Sequence, residues 1–418
     1  MKRTNWQHLS RLLLVVVMAL SLGITETDAA AKPKGEPIKI GYIQSLSGLA
    51  MVYTVGALRA FQLGAEEIND AGGVLGRPLQ VIVRDDKLIP SEGLKHAREL
   101  VITQKVDVLA GTISSGVCLA ISDYAKRQKV LFVVDGATST AITEEKGHDY
   151  LIRVGTDTTT DRGRGQAHVF KDMPYKRFFT ITHDYEYGWR IISDFWDYFV
   201  KMRPDVQRVG EIKIKLGTPD FTPIISAIMA ANPEVVASGV WGSDSVSFIK
   251  QAKAAGLFDK IKLFTGSEVV PPDVAIALGK ECPEGILSGT LYPFWELEKK
   301  ITASKDFNKK YYDITGKYPL SGDALGYEHI YWIAEGIKKA GSLDALKISQ
   351  ALRGMTRDTL YGPVTIRPID GQALNPYFWG YTKFVPEYPF AILTDLKTFP
   401  PELIYSTVEE VKAKRAEK

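Results

Sequence analysis

Neutral hydroxyl residues follow two apolar segments in the first part of the chain. Ser114 and Ser115 come directly after the run VDVLAGTI, while Gly136 and Thr138 follow the run VLFVVD. Hydroxyls and free amides at the start of a helix can hold an anion without any Arg or Lys side chain. This pattern favours a binding site for a carboxylate, although Ser and Thr at such positions also serve as ordinary helix caps.

Three residues in the second part of the chain follow apolar segments in the same way. Tyr187 follows the run RFFTITHD, Trp241 follows EVVASGV, and Glu268 follows IKLFTGS. An acid can neutralise an ammonium group, and aromatic rings can wall an apolar or cationic ligand. Each residue also has a structural interpretation, namely core packing for the two rings and a solvated loop acid for Glu268.

The sequence gives little support for other chemistry. The stretch GTISSGVC has the glycine spacing of a P-loop, but Val117 and Cys118 stand where that motif requires Lys and Ser or Thr. The first strand leads into GYIQSLSGLA, which is not the dinucleotide-binding pattern G-x-G-x-x-G. Neither G-x-S-x-G nor H-E-x-x-H is present, and the 2 Cys and 6 His offer no metal-ligand spacing. We therefore expect a protein without catalytic activity, cofactor or metal.

The elements that position these residues alternate between strand and helix. One series of apolar strands and helices begins at Ile38, and a second begins near Arg164. Near-continuous apolar strands separated by helices of about 10–15 residues indicate parallel sheets covered on both faces. The predicted fold class is therefore α/β, with two doubly wound parallel-sheet lobes. Ligands of such sheets bind at the carboxyl ends of the strands, where the residues above are found.

The N-terminal segment has the pattern of a secretory signal peptide. Lys2, Arg3 and Arg11 precede the apolar run LLLVVVMALSLGI, and small residues then lead to Ala31. This apolar run is shorter than the roughly 20 residues that a membrane-spanning helix requires. We expect residues 1–31 to be removed and the mature chain to be periplasmic.

The net charge and the two cysteines indicate which partners and which thiol state to expect. The chain has 52 basic and 49 acidic side chains, a formal net charge of +3, which gives no electrostatic reason to expect nucleic acid or an anionic membrane as a partner. An exported protein could pair Cys118 with Cys282. The two lie in different predicted lobes, so a bridge would hamper lobe motion, and we expect free thiols.

Several segments together resemble a known family. The opening IKIGYIQSLSGLAMVYTVGALRAFQLGAEEINDAGGVLGRPLQVIVRDD resembles that of the periplasmic solute-binding proteins of branched-chain amino acid ABC importers. The resemblance continues through GTISSG, HDYEYG, IKQAKAAGL, GYEHIYWIAEGIKKAG and YGPVTIRP, and it covers roughly residues 38–385.

The resemblance implies a type I periplasmic-binding-protein fold, in which three crossovers join two lobes that close over a ligand. It also suggests a division of the chain. The first lobe would comprise residues 32–157 and 286–355, and the second residues 158–285 and 356–398, followed by a charged, solvated tail over residues 399–418.

The resemblance also implies roles for individual residues. In amino-acid binders of this family, a Ser and a Thr of the first lobe hold the ligand carboxylate, and these match Ser115 and Thr138, with backbone help near Ile113 and Gly136. An acid of the second lobe holds the ligand ammonium group, and Glu268 matches it.

Aromatic positions of the family match three further residues. Tyr187 and Trp241 match rings after two second-lobe strands, and Tyr53 falls where the first lobe often contributes a wall. Three residues depart from the family pattern. Trp241 stands where Tyr is more common and would alter the side-chain pocket, and Asp135 stands where Pro or a small residue is frequent. Cys118 has no local partner for the first-lobe disulfide that many members carry. These departures concern the ligand rather than the fold.

We therefore expect an exported substrate-binding component of an ABC importer. It would capture a small carboxylate-bearing solute, in the first place a branched-chain or other hydrophobic amino acid, and would act as a monomer with a membrane permease as its partner. An aromatic carboxylate, an amide or a urea-type compound is the alternative ligand. A ligand-sensing regulatory protein is the alternative from another functional class.

Overall fold

The computed structural model describes residues 33–417. The predicted signal peptide, residues 1–31, lies outside the described residues. Within residues 33–417, no helix is long and apolar enough to cross a lipid bilayer.

The first lobe is built on a five-stranded parallel sheet with the strand order β2-β1-β3-β4-β5. Four of its strands are rich in β-branched and aliphatic residues that are buried on both faces, as expected for a parallel sheet between helices, whereas the strand Leu79–Asp85 at one edge is mostly half-buried. The strands are β1 (Ile38–Gln44), β2 (Leu79–Asp85), β3 (Val108–Gly111), β4 (Leu131–Val134) and β5 (Leu151–Arg153). The helices that connect them are α1 (Met51–Asp70), α2 (Pro90–Glu99) and α3 (Ser115–Gln128).

The second lobe begins after β5 and again alternates helix and strand. Its helices are α4 (Thr159–Phe170), α5 (Glu186–Met202), α6 (Thr222–Ala231), α7 (Gly242–Ala254) and α8 (Pro272–Leu278). Its first strands are β6 (Arg177–His183), β7 (Gln207–Ile214), β8 (Val235–Gly239) and β9 (Leu263–Gly266), and the pairs that they form with one another are parallel.

The last part of the chain completes both lobes. Its strands are β10 (Leu287–Thr290), β11 (Thr356–Thr359), β12 (Gly362–Thr365), β13 (Phe378–Lys383) and β14 (Ile392–Lys397). Its helices are α9 (Phe294–Leu297), α10 (Thr302–Thr315), α11 (Ser321–Ala340), α12 (Ala345–Leu352), α13 (Pro401–Ile404) and α14 (Val408–Ala416). The second sheet then has the order β14-β13-β10-β9-β8-β6-β7, with β13 antiparallel to both of its neighbours.

The chain passes between the lobes three times. Helix α11 returns to the first lobe, where Trp332 and Ile333 are buried in the same apolar core as Ile40; full burial of such a side chain is worth about 1.5–3 kcal/mol. The β11–β12 pair, which the sequence division grouped with the second lobe, also contributes Val364 to this first-lobe core. The chain then crosses again, and β13 joins the second sheet.

The C-terminal tail is attached to both lobes rather than solvated. Val411 of α14 is fully buried. Lys414 Nζ donates to Glu144 Oε2 at 2.6 Å in the first lobe, while Arg164 of α4 in the second lobe donates to Glu410 Oε1 at 2.8 Å. The charges that suggested a solvated helix are therefore partly used in contacts with the body of the protein.

The two cysteines are free and buried, which confirms the prediction of unpaired thiols. Cys118 lies in the core of the first lobe and Cys282 in that of the second. Burial raises the pKa of the Cys282 thiol to about 12 and also raises that of Cys118, so both are protonated and poorly nucleophilic at neutral pH.

Candidate ligand-binding site

A partly open cavity lies between the lobes. It is found at the carboxyl ends of strands from both sheets, the position at which α/β proteins bind ligands. The residues that line it are Tyr53, Ile113, Gly136, Thr138, Thr156, Arg162, Tyr185, Tyr187, Trp241, Glu268, Leu291, Ser321, Gly322 and Leu325.

On the first lobe, the loops after β3 and β4 bring Ile113, Gly136 and Thr138 to the cavity. Gly136 allows these two loops to lie close together, since a Cβ atom there would be 3.3 Å from the Cα atom of Ile113. Of the hydroxyl residues that the sequence indicated, Thr138 lines the cavity, whereas Ser114 and Ser115 are not among the lining residues.

The hydroxyls of the two serines have partners inside the protein. Ser114 Oγ caps helix α3 by accepting from the backbone nitrogen of Val117 at 3.4 Å. Ser115 Oγ accepts from the backbone nitrogen of Ser139 at 3.1 Å and is almost fully buried. In this structure Ser115 therefore supports the loop after β4 rather than facing the cavity.

The backbone amides expected to assist the ligand are also hydrogen-bonded within the first lobe. The nitrogen of Ile113 donates to Gln44 Oε1 at 2.8 Å, and that of Gly136 donates to Asp135 Oδ1 at 2.6 Å. Asp135 Oδ2 accepts from Tyr42 Oη at 2.9 Å and from Gln44 Nε2 at 3.0 Å. This buried network fixes the first-lobe wall and leaves Thr138 as the predicted hydroxyl at the cavity.

Aromatic side chains form the opposite wall. Tyr187 stands 6.4 Å from Trp241 in an edge-to-face arrangement, and Tyr185 packs 6.1 Å from Tyr187, measured between ring centroids. Tyr53 of the first lobe lies 6.2 Å from Trp241. These spacings are those at which aromatic pairs attract one another, so the rings form a continuous apolar surface across the cleft.

Glu268 is paired with a cation that the sequence analysis did not identify. Arg162 Nη1 donates to Glu268 Oε1, while its Nε donates to Asp157 Oδ1 at 2.8 Å and its Nη2 to Thr156 Oγ1 at 3.1 Å. The guanidinium group also lies over the ring of Tyr377, with Cζ 4.6 Å from the ring centroid.

Burial controls the charges of this cluster. The side chain of Arg162 is 2% exposed and that of Asp157 is fully buried, whereas the side chain of Glu268 is 22% exposed. Burial raises the pKa of Glu268 above its usual value, and the nearby Arg162 opposes this effect. Burial lowers the pKa of Arg162 and is the largest single effect on it, but Asp157, Tyr377 and Glu268 together outweigh burial and hold the arginine pKa well above its usual value.

Local structure explains how Arg162 reaches the cavity. Thr158 and Asp161 form a capping box at the start of α4, with Thr158 Oγ1 accepting from the backbone nitrogen of Asp161 at 3.1 Å. This box fixes the first turn of α4, on which Arg162 lies. The turn comes after the short loop that follows β5. The strand-end rule could have singled out Thr156 and Asp157, had the short apolar run of β5 been identified in the sequence.

The returning segments add residues that sequence patterns did not indicate. Leu291 follows β10, and Ser321, Gly322 and Leu325 lie at the start of α11. Ser321 Oγ lies 3.0 Å from Thr290 Oγ1 and also accepts from the backbone nitrogen of Tyr292 at 3.3 Å. The two leucines extend the apolar lining of the cavity.

Contacts across the cleft hold the lobes together around the cavity. Tyr53 Oη accepts from the backbone nitrogen of Gly242 at 3.3 Å, and Ser139 Oγ donates to Glu186 Oε1 at 2.7 Å. Within residues 33–417, no group of three or more His, Cys, Asp or Glu side chains is arranged to hold a metal ion. Two lobes that close over a partly polar, partly aromatic cavity define a class of protein, the two-lobed ligand-binding proteins.

Comparison with known sequences identifies the family within this class. The model of the periplasmic binding protein family matches residues 37–383, and the chain belongs to this family. A leucine-, isoleucine-, valine-, threonine- and alanine-binding protein of Pseudomonas aeruginosa is 29% identical over 371 residues, covering 85% of this chain and 91% of the relative.

Solved structures agree with the fold. The solute-binding protein of an ABC transporter from Rhodopseudomonas palustris, in complex with 3,4-dihydroxybenzoic acid, has a TM-score of 0.78 at 24% identity and covers 87% of this chain and 97% of its own. A leucine-binding protein from Thermotoga maritima has a TM-score of 0.74 at 22% identity and covers 87% of this chain and 98% of its own. These likenesses confirm the predicted type I fold with two α/β lobes.

Proposed function

We propose that this chain is a non-catalytic receptor that captures a neutral, hydrophobic α-amino acid for an ABC importer. The observation that carries the proposal is the arrangement of the cavity, in which the partly exposed carboxylate of Glu268 lies on one lobe and Thr138 on the other, with aromatic and aliphatic side chains around them. The acid suits a ligand ammonium group, the hydroxyl suits a ligand carboxylate, and the apolar walls suit an uncharged side chain.

The relatives support this assignment. The similar protein of Pseudomonas aeruginosa is named for binding leucine, isoleucine, valine, threonine and alanine. Within the cavity, Glu268 and Arg162 are the charged lining residues, so a ligand with a charged side chain would have no further partner of opposite sign there.

An aromatic carboxylate is the second candidate ligand. Four aromatic residues, namely Tyr53, Tyr185, Tyr187 and Trp241, line the cavity together with the guanidinium group of Arg162. An arginine and flat ring faces are a suitable environment for a benzoate-type acid, and the similar protein of Rhodopseudomonas palustris was solved with such an acid.

The proposed receptor works outside the cytoplasm as a monomer. The signal-peptide pattern of residues 1–31 and membership of the periplasmic binding protein family support export, and the ABC-transporter context of the similar proteins supports docking on a membrane permease. Closure over the ligand is favoured because contacts from both lobes to the ligand exist only in the closed state.

A ligand screen tests the proposal. Mature protein (residues 32–418) would be unfolded, dialysed and refolded to remove carried ligand, and then heated with leucine, isoleucine, valine, acetamide, urea or benzoate. A ligand at about 100 times its dissociation constant adds about 2.7 kcal/mol to the free energy of unfolding. We expect stabilisation by the hydrophobic amino acids, with affinities then measured by calorimetry. Stabilisation by benzoate alone would contradict the proposal and favour the second candidate.

A further inference from the structure

The guanidinium group at the cavity is held by a carboxylate that does not itself line the cavity. Asp157 Oδ1 accepts from Arg162 Nε at 2.8 Å and from Thr156 Oγ1 at 2.9 Å, and Arg162 Nη2 forms an ion pair with the same oxygen at 2.7 Å. Asp157 is fully buried behind the lining residues Thr156 and Arg162. The hydrogen bond from Nε, the ion pair of Nη2 with the same oxygen and the bond from Nη2 to Thr156 Oγ1 at 3.1 Å together orient the guanidinium group.

The charges of this cluster do not cancel. Arg162 contributes one positive charge, whereas Asp157 and Glu268 contribute one negative charge each. The guanidinium group is shared between Asp157 behind it and Glu268 at the cavity, so the cluster keeps one surplus negative charge for a ligand. Asp161, one residue before Arg162, is turned towards Thr158, because its Oδ1 accepts from the Thr158 backbone nitrogen and hydroxyl at 2.5 Å each; the ion pairs of Arg162 are with Asp157 and Glu268.

We propose that Asp157, acting through Arg162, is a specificity-determining residue that makes the site select zwitterions over simple carboxylates. This inference rests on the proposed function, since it explains how a cavity that contains an arginine can still accept an ammonium group. Asp157 is a positioning residue in this scheme, because it has no contact with the cavity of its own.

Removal of the Asp157 charge would reverse the preference. In an Asp157→Asn variant, Arg162 and Glu268 would neutralise each other, and the ligand ammonium group would meet a guanidinium without surplus negative charge. A benzoate-type acid would meet the same guanidinium without repulsion from the surplus negative charge of the wild-type cluster. The two classes of ligand should therefore respond in opposite directions, which a general loss of packing would not produce.

The test is calorimetric titration of wild type and Asp157→Asn at pH 7 with leucine and with benzoate. We expect leucine to bind at least tenfold more weakly and benzoate at least tenfold more tightly, each change equal to about 1.4 kcal/mol. Asp370→Asn is the matched control, because Asp370 is also fully buried and paired with an arginine, Arg367, outside the cavity. It should leave the ratio of the two affinities unchanged.

The outcomes separate the two proposals. If wild type binds none of leucine, isoleucine and valine, the proposed function fails. If wild type binds leucine and Asp157→Asn weakens both ligands equally, the proposed function stands and the role of Asp157 is wrong.

A measurement on wild type covers the case in which the variant does not fold. Titration of benzoate at pH 8 in buffers of different ionisation enthalpy reports proton uptake, which is expected here because the surplus negative charge must be neutralised. Benzoate binding that is as tight as that of leucine and without proton uptake would overturn the inference.

Discussion

The phenolic oxygen of Tyr53 and the backbone nitrogen of Gly242 lie 3.3 Å apart and form a hydrogen bond across the cleft. Tyr53 belongs to α1 of the first lobe, and Gly242 begins α7 of the second. Gly242 has φ +64°, and a Cβ atom there would lie 2.5 Å from the carbonyl oxygen of Leu49. The absence of a side chain at this position thus allows the lobes to meet.

Loss of the Tyr53 hydroxyl should weaken ligand binding through faster release. A typical hydrogen bond contributes about 0.5–1.5 kcal/mol, so we expect leucine affinity to fall about 2–10-fold in Tyr53→Phe, mainly in the dissociation rate measured by stopped-flow fluorescence. Tyr124→Phe is the matched control, since the buried Tyr124 hydroxyl has no partner among the described residues. Equal dissociation rates in Tyr53→Phe and wild type would show that this contact does not stabilise closure.

A methyl group at Gly242 should block closure. Gly242→Ala places the new Cβ against the Leu49 carbonyl, and we expect leucine affinity to fall at least tenfold in calorimetry. Gly217→Ala controls for backbone strain, because Gly217 also has a positive φ, +76°, but open space around its missing Cβ. Both variants should lose some stability through unfavourable φ, whereas only the first should lose affinity. Similar affinities in the two variants would contradict this account.

Replacement of Glu268 should distinguish ligands by their charge. Glu268→Gln removes the carboxylate proposed to hold the ligand ammonium group while keeping the side-chain size. A hydrogen bond to a charged group contributes about 1.5–3 kcal/mol, so leucine should bind at least tenfold more weakly in calorimetry. Benzoate, which lacks an ammonium group, should not lose affinity in the same variant. Unchanged leucine affinity would show that the ammonium assignment is wrong.

His148 should make the stability of the protein depend on pH below neutrality. Burial lowers its pKa from 6.5 to about 4, and its Nδ1 accepts from the backbone nitrogen of Tyr150 at 3.2 Å, which requires an unprotonated Nδ1. The unfolded chain takes up a proton near pH 6.5 and the folded chain only near pH 4. The stabilisation is therefore complete above pH 6.5 and is lost as the pH falls towards 4, by at most about 3 kcal/mol.

Urea denaturation at several pH values, comparing wild type with His148→Asn, measures this contribution. The variant should be less stable than wild type at pH 7.5, and the difference should shrink as the pH falls to 4.5. If the free energy of unfolding changes with pH in the same way in the two proteins, the lowered pKa of His148 is wrong.

Part of the site could be predicted because short-range sequence order determines it. In parallel sheets, residues directly after a strand lie at its carboxyl end, and this rule led to Thr138, Tyr187, Trp241 and Glu268, all of which line the cavity. The alternation of strands and helices likewise predicted the two lobes. Ligand contacts of these residues remain predictions.

The remainder of the site depends on contacts between distant parts of the chain. Arg162 lies in the stretch TTTDRGRG, whose composition is typical of an exposed helix start, and its partner Glu268 is 106 residues away. Ser115 has the predicted residue type, but its hydroxyl accepts from the backbone of Ser139, 24 residues away. The residues next to Ser115 in the sequence do not show whether its hydroxyl bonds a ligand or the backbone of another loop.

The C-terminal helix α14 and the residue before it connect the two lobes beside the last crossover. Tyr405, just before α14, donates through its hydroxyl to the carbonyl oxygen of Asn375 at 3.1 Å in the last crossover, and the helix itself is bonded to Glu144 and Arg164 of opposite lobes. The tail is therefore a fourth connection between the lobes, in addition to the three crossovers, and it is made by side-chain contacts rather than by the path of the main chain.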